Sequence, residues 1–268
     1  MERVKSPSRL FKYVGQSGIK LFENGRILFR RPKYLNDPFD FAPSVAEPSE
    51  EELEQWAKEV VVGKYLVDFG PKLDWNLHWA KVGEIYKKQL RDAWNEELHL
   101  APIRIQDQFN ASVLCLSTNE NHLLMWAHYA DSHKGALIEF NVENEFFANA
   151  KLFEVKYQNA RPVMRMSTAK DSLGAATTKG EIWNYEEEWR MMKDYRTAPE
   201  ILPGDEGGLF AIPKEAIKRV VLGFRSTDPF IAAMKSVLSK EEYKHVNLQY
   251  AVPDHQIFAL NYQEAPLH

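Results

Sequence analysis

The order of apolar and polar positions divides the chain into short extended runs, turn-forming segments and one long helical stretch. Ser112 to Leu116 (SVLCL) is a β-favouring run that ends in the hydroxyls of Ser117 and Thr118, which suits an interior strand with an exposed tip. A polar turn, Ser117 to Asn121, leads into a short helix that Asn119 or Asn121 can cap. Leu123, Trp126, Ala127 and Ala130 are spaced to form its inward face. Gly135 is expected to end this helical segment and turn the chain back into the strand ALIEF.

The remaining pattern repeats these themes. Arg9 to Val14 predicts a first strand, with Leu10 and Lys12 on one face and Phe11 and Tyr13 on the other. Asn24-Gly25 marks a helix end or a hairpin, and Asn36-Asp37-Pro38-Phe39 a fixed turn. Ser49 before Glu50, Glu51 and Glu52 opens a helix that can run to about Gly63. Val82, Ile85, Tyr86, Leu90, Ala93 and Trp94 lie on one face of a second helix, from about Asn76 to Leu98. Further strands are expected at Leu152 to Tyr157, Trp189 to Met192, Arg219 to Phe224, Val246 to Ala251 and Gln256 to Tyr262. A helix with Asp228 as cap and Pro229 at its first position falls among them. The sum is an α+β fold with a central, mostly antiparallel set of six to eight short strands. It reads as a single domain over 1–268, with residues 47–110 as a helical insertion or cap.

Composition narrows the function classes. With 44% hydrophobic residues over 268 positions the chain can bury a sizeable core, and its net charge of -4 gives no global reason to bind nucleic acid. One cysteine, Cys115, rules out a disulfide framework, and its apolar setting reads as a small buried hydrophobe. The start MERVKSPSRLFKY lacks an apolar signal core, and no run is long enough to span a bilayer. These features predict a cytoplasmic protein with no membrane partner. They leave its oligomeric state open.

Candidate chemistry is concentrated in two places. His122, His128 and His133 are six and five residues apart, which is not the i, i+3 or i+4 spacing of helical metal ligands, so no metal is expected. Ser117, His128 and Asp131 contain the residue types of a nucleophile system, without a spacing that requires one. No phosphate-binding, dinucleotide-binding or nucleophile-elbow motif is present. Glu186 and Glu188 are two apart, so in a strand both would point to one face, as a base or as a stabiliser of an oxocarbenium ion. The simpler expectation is a solvated charge run with one carboxylate paired to Arg190. Asn36 and Asp37 read as turn chemistry, or as a polar rim to the site.

Four segments carry a resemblance: LFKY, YLNDPFD, CLSTNENHLLMWAHYADSHKGALIEF and KGEIWNYEEEWR. Together they resemble a family of uncharacterised bacterial and phage proteins, some of which occur in abortive-infection (phage-defence) settings. A more distant likeness is to the ADP-ribosyltransferase fold. That likeness implies an NAD-dependent transferase or toxin effector with Glu188, and Glu186 beside it, as the catalytic carboxylates. Lys12 or Tyr13, Ser117 and Thr118 would bind the nicotinamide-side ribose of NAD, and Trp126 or Tyr129 would stack on nicotinamide. The chain has Lys12-Tyr13 where such enzymes have an arginine or histidine, and only Ser117-Thr118 of their serine-threonine-serine pattern. The acceptor would be protein, nucleic acid or water. A non-catalytic sensor or partner-binding protein is the alternative, and a nuclease-like hydrolytic effector the second alternative.

Overall fold

The computed structural model describes residues 7–68, 75–97, 106–107, 109–165 and 172–264. In chain order the strands are β1 (Leu10–Val14), β2 (Arg26–Arg30), β3 (Ser44–Val45), β4 (Ala111–Ser117), β5 (Ala136–Phe140), β6 (Leu152–Glu154), β7 (Lys156–Gln158) and β8 (Val163–Met164). They continue as β9 (Thr178–Gly180), β10 (Glu188–Asp194), β11 (Glu200–Ile201), β12 (Gly207–Ala211), β13 (Ile217–Leu222), β14 (Asn247–Pro253) and β15 (Leu260–Glu264). The helices are α1 (Lys20–Asn24), α2 (Glu50–Asp68), α3 (Trp75–Glu97), α4 (Leu123–Tyr129), α5 (Glu145–Ala148), α6 (Ser172–Ala176) and α7 (Asp228–Leu238). The fold is α+β. The chain forms two compact units, one of residues 1–36, 109–158 and 179–268, the other of residues 37–108 and 159–178.

The first unit is built on an eleven-stranded sheet. Its main path runs β11-β12-β2-β4-β1-β5-β13-β14-β15, with β10 added on β4 and β6 on β10. This exceeds the six to eight strands expected, because Arg26–Arg30, Glu200–Ile201 and Gly207–Ala211 also pair into it. All pairings in this sheet are antiparallel except β13 with β14, which are joined through α7. β4 is the pivot. It pairs with β10 along its whole length, from Ala111↔Asp194 to Ser117↔Glu188. Its other edge is divided, β2 meeting it at Arg30↔Val113 and β1 at Phe11↔Ser117.

Strand alternation sends side chains to two cores. Leu10, Leu114, Leu116, Ile138, Trp189, Met191 and Val220 pack with Leu21 and Phe22 of α1 and with Phe230, Met234 and Leu238 of α7. On the opposite face Phe11, Tyr13, Leu137 and Val221 meet Met125, Trp126 and Ala130 around α4. Full burial of each large apolar side chain is worth roughly 1.5–3 kcal/mol. Asn24-Gly25 is a helix end: Gly25 closes α1 in the left-handed conformation at φ 61.

Three local expectations are corrected. Neither Asn119 nor Asn121 caps α4; His122 holds that position without a side-chain cap bond. Both amides are already used, Asn119 Oδ1 accepting from the Asn121 N–H (3.2 Å) and Asn121 Nδ2 donating to the carbonyl of Leu260 (2.7 Å). The chain leaves α4 through Asp131, Ser132 and His133, all at positive φ, so Gly135 is not the residue that ends the helix. Gly135 is there for close approach, since a Cβ on it would lie 2.0 Å from the carbonyl oxygen of Val14. Thr227 rather than Asp228 precedes the first turn of α7 as its cap, which moves Pro229 one position inward.

In the second unit Ser49 and Glu52 form a reciprocal capping box. The Ser49 N–H donates to Glu52 Oε2 (2.8 Å), and the Glu52 N–H to Ser49 Oγ (3.2 Å). α2 continues past Gly63 to Asp68, a single interior glycine costing only about 1 kcal/mol. Leu53 and Ala57 are buried, and Trp56 packs against Trp94 of α3. The Asp37 carboxylate accepts from the Phe39 N–H (2.9 Å), the turn chemistry expected of it. Among the described residues no helix is long and apolar enough to cross a membrane.

Candidate functional site

The end of the β4–β10 ladder carries the concentrated chemistry. Glu181–Glu186 forms a 3-10 turn, Glu187 then takes the left-handed conformation (φ 43, ψ 52), and Glu188 opens β10. The left-handed residue reverses the chain locally. Glu187 is thrown outward, where its carboxylate accepts from Thr118 Oγ1 (3.0 Å) and Asn119 Nδ2 (3.2 Å). Glu186 and Glu188 are turned inward together and are only 3% and 4% exposed. The solvated charge run therefore applies to Glu187 alone. The pairing of one carboxylate with Arg190 is present, but it is buried.

Lys179, on β9, joins the two carboxylates. Its Nζ is 2.5 Å from Glu186 Oε2 and 3.4 Å from Glu188 Oε2. Arg190 grips Glu188 in fork geometry, Nε to Oε1 at 2.8 Å and Nη2 to Oε2 at 3.0 Å. Tyr129 of α4 donates to Glu186 Oε1 and accepts from Asn36 Nδ2 at 3.0 Å. The Tyr157 hydroxyl accepts from the Glu188 N–H (2.8 Å), and Ser117 Oγ donates to the Glu186 carbonyl (2.6 Å).

These surroundings drive the two carboxylates apart. Burial alone raises a carboxyl pKa. At Glu188 the charges of Arg190 and Lys179 outweigh burial and bring the group down to about 2, with the Cys115 thiol adding a hydrogen bond. At Glu186 burial prevails over the attraction of Lys179, and the Glu188 charge adds to it, so its pKa lies above the usual carboxylate range. The Tyr129 phenol is raised by burial and then by Glu186. One carboxylate is fixed as an anion and its neighbour is poised to hold a proton, the separation that acid–base sites use.

Aromatic rings rim the pair. Trp183 and Tyr185 are half-buried and His128 is exposed. His128 Nδ1 is hydrogen-bonded to the Tyr185 hydroxyl (2.9 Å), and the His122 ring stacks on Tyr185 with centroids 5.0 Å apart. Lys179 Nζ also sits over the Trp183 ring, 4.9 Å from its centroid.

Of the expected site residues, Ser117, Thr118, Tyr129, Glu186 and Glu188 come together here. Lys12 lies at the fork where β1 and β2 part along β4, its half-buried amine donating to the Cys115 carbonyl (3.1 Å). Burial lowers the pKa of that amine. Tyr13 points to the α4 side, where its hydroxyl donates to the Asn119 carbonyl (3.0 Å). Trp126 is fully buried, with Tyr13 edge-on at 5.4 Å and its Nε1 donating to Tyr262 (3.3 Å), so its ring is a core element. Ser117, His128 and Asp131 are not linked: Ser117 bonds Glu186, His128 bonds Tyr185 and Asp131 accepts from Gln16. Among the described residues no group of three His, Cys, Asp or Glu side chains could hold a metal.

Lys179 and Tyr157 are functional candidates that spacing does not reveal. Lys179 is seven residues from Glu186 and reaches it only because β9 and the 3-10 turn fold back. Tyr157 lies in an ordinary amphipathic strand.

Residues 125–191 match the model of a family described as "Protein of unknown function (DUF2971)". That family is uncharacterised, and the matched segment is 67 of the 268 residues. The DUF2971 segment begins in α4 and ends in β10, and it contains Tyr129, Tyr157, Lys179, Glu186, Glu188 and Arg190. No curated protein and no solved structure matches the chain.

Proposed function

We propose that the protein is an NAD-consuming, ADP-ribosyltransferase-like enzyme of a phage-defence or toxin type. In this reading Glu188 and Glu186 divide the carboxylate work. The observation that carries it is the unequal pair: both carboxylates bind Lys179, and Glu188 is clamped by Arg190 as well. Breaking the nicotinamide–ribose bond sends the electron pair to nicotinamide and leaves positive charge on C1′ and the ring oxygen. A fixed anion in a low-dielectric site stabilises that charge, which is the role of Glu188. The acceptor oxygen of a protein, nucleic acid or water then bonds to C1′ and gives its proton to Glu186. Trp183, Tyr185 and His128 supply flat faces for the nicotinamide ring, the part first read into Trp126 or Tyr129.

The test is nicotinamide release from NAD by the purified protein, beside folded Glu188→Gln and Glu186→Gln variants. The reading expects release that falls roughly 10²–10³-fold in the first and about 10²–10⁴-fold in the second. Release that both variants retain in full overturns it.

One observation favours a second reading, a non-catalytic sensor or partner-binding protein of a defence system. Both oxygens of Glu186 and both of Glu188 already have donors inside the protein. No release from NAD and no thermal stabilisation by it would move the assignment there.

A further inference from the structure

We propose that Asn36, Tyr129 and Glu186 form a proton wire, along which Glu186 gains and loses its proton by reversal of the hydrogen bonds. Three contacts carry this. Lys179 donates to Glu186 Oε2 at 2.5 Å. Tyr129 donates to Oε1. Asn36, exposed at the outer end, donates to the Tyr129 oxygen at 3.0 Å. An ammonium has donors only, so a proton on Glu186 cannot share Oε2 with Lys179 and must sit on Oε1. There it points at the Tyr129 oxygen.

Protonation then proceeds in a balanced sequence. The Tyr129 O–H bond breaks as its hydrogen passes to Glu186 Oε1, and a new O–H bond forms on Tyr129 with a proton from solvent. The phenol ends neutral and now accepts from Glu186. Its hydrogen turns outward, and the Asn36 amide rotates to present Oδ1 in place of Nδ2. Deprotonation runs the same steps backward. Tyr129 and Asn36 are thus positioning residues for Glu186.

The groups facing Glu186 come from several elements: Lys179 from β9, Glu188 from β10 with Arg190 bound to it, Tyr157 from β7, Tyr129 from α4 and Tyr185 on its own turn. Burial raises Glu188, but Arg190 and Lys179 overcome it and set the group near 2, while burial raises the pKa values of Tyr129, Tyr157 and Tyr185. A carboxylic acid signal in this cluster that titrates above Glu188 therefore belongs to Glu186.

The experiment follows the protonated-carboxyl band of the full chain by infrared difference spectroscopy across pH 3–9, assigned by its loss in Glu186→Gln. It is repeated in a His128→Gln background to remove the imidazole bonded to Tyr185. Tyr129→Phe removes a donor to the carboxylate, so the midpoint should rise by about one unit. Asn36→Ala should move it the same way by less, and the pH profile of nicotinamide release should follow both shifts. Unchanged midpoints in both folded variants, or no Glu186 band at any pH, overturn the wire. Its role in catalysis rests on the NAD reading, but the titration does not: a band that moves in a protein inert to NAD keeps the wire and removes that reading.

Discussion

Glu188 stands directly across the ladder from Ser117, at the last register pair of β10 on β4. Ser117 does not bond the carboxylate facing it. Its hydroxyl donates to the carbonyl of Glu186, two residues back, and so pins the turn in which Glu187 is left-handed. Ser117→Ala leaves that buried carbonyl without this donor and should cost about 1–3 kcal/mol in urea unfolding. It should also loosen Glu187, seen as faster amide exchange at the Thr118 N–H that bonds the Glu187 carbonyl.

Arg190 is fully buried and its guanidinium holds Glu188 through Nε and Nη2. Arg190→Met leaves a buried anion short of its main counter-charge and should destabilise the protein by roughly 3–5 kcal/mol. Adding Glu188→Leu to the same chain should recover most of that loss. A double-mutant cycle in urea tests the pair, and additive losses would contradict this account of the cluster.

The two carboxylates contribute opposite pH dependences. Burial raises the Glu188 pKa, but Arg190 and Lys179 overcome it and place the folded value near 2, below the unfolded 4.5. Its contribution is complete above pH 4.5 and is lost as pH falls towards 2. Glu186 is raised, so its contribution is present below pH 4.5 and fades as pH rises through the folded value. The stability deficit of Glu188→Gln against wild type should therefore shrink as pH falls from 5 to 3. Glu186→Gln should gain on wild type as pH rises from 4 to 8. Chemical denaturation at four or five pH values reads both trends.

Gly135 brings two strands together at a turn, with no room for a side chain against the Val14 carbonyl. Gly135→Ala must displace backbone at the β1–β5 end and should cost about 3 kcal/mol, the upper part of the overpacking range. Gly25→Ala offers the contrast. Its position is left-handed but open, and the expected loss is about 1 kcal/mol. Thermal melts of the two variants should fall in that order.

Much of the fold was legible because it rests on local signals. Strand runs such as SVLCL and RVVLGF, the Ser49 and Glu52 box and the Asn24-Gly25 helix end need only neighbours in sequence to be read. Glu186 and Glu188 face one way, as their spacing suggests, though a left-handed Glu187 produces this rather than a strand pleat. Burial of the pair was not legible, since three consecutive glutamates ordinarily face water. It depends on Lys179, whose approach is a property of how β9 and β10 fold back. The helix cap was misassigned for a similar reason: Asn121 bonds the Leu260 carbonyl, a partner 139 residues away.

β4 meets β1 and β2 through one register pair each, while β10 holds it along seven. The sheet is therefore two leaves sewn to a common spine, and at the fork between them the Lys12 amine ties β1 to the Cys115 carbonyl of β4. Under thermal motion the leaves can flex about that spine while the β4–β10 ladder stays intact. Glu188, at the end of the spine, is therefore held by the seven-pair ladder and not by either leaf.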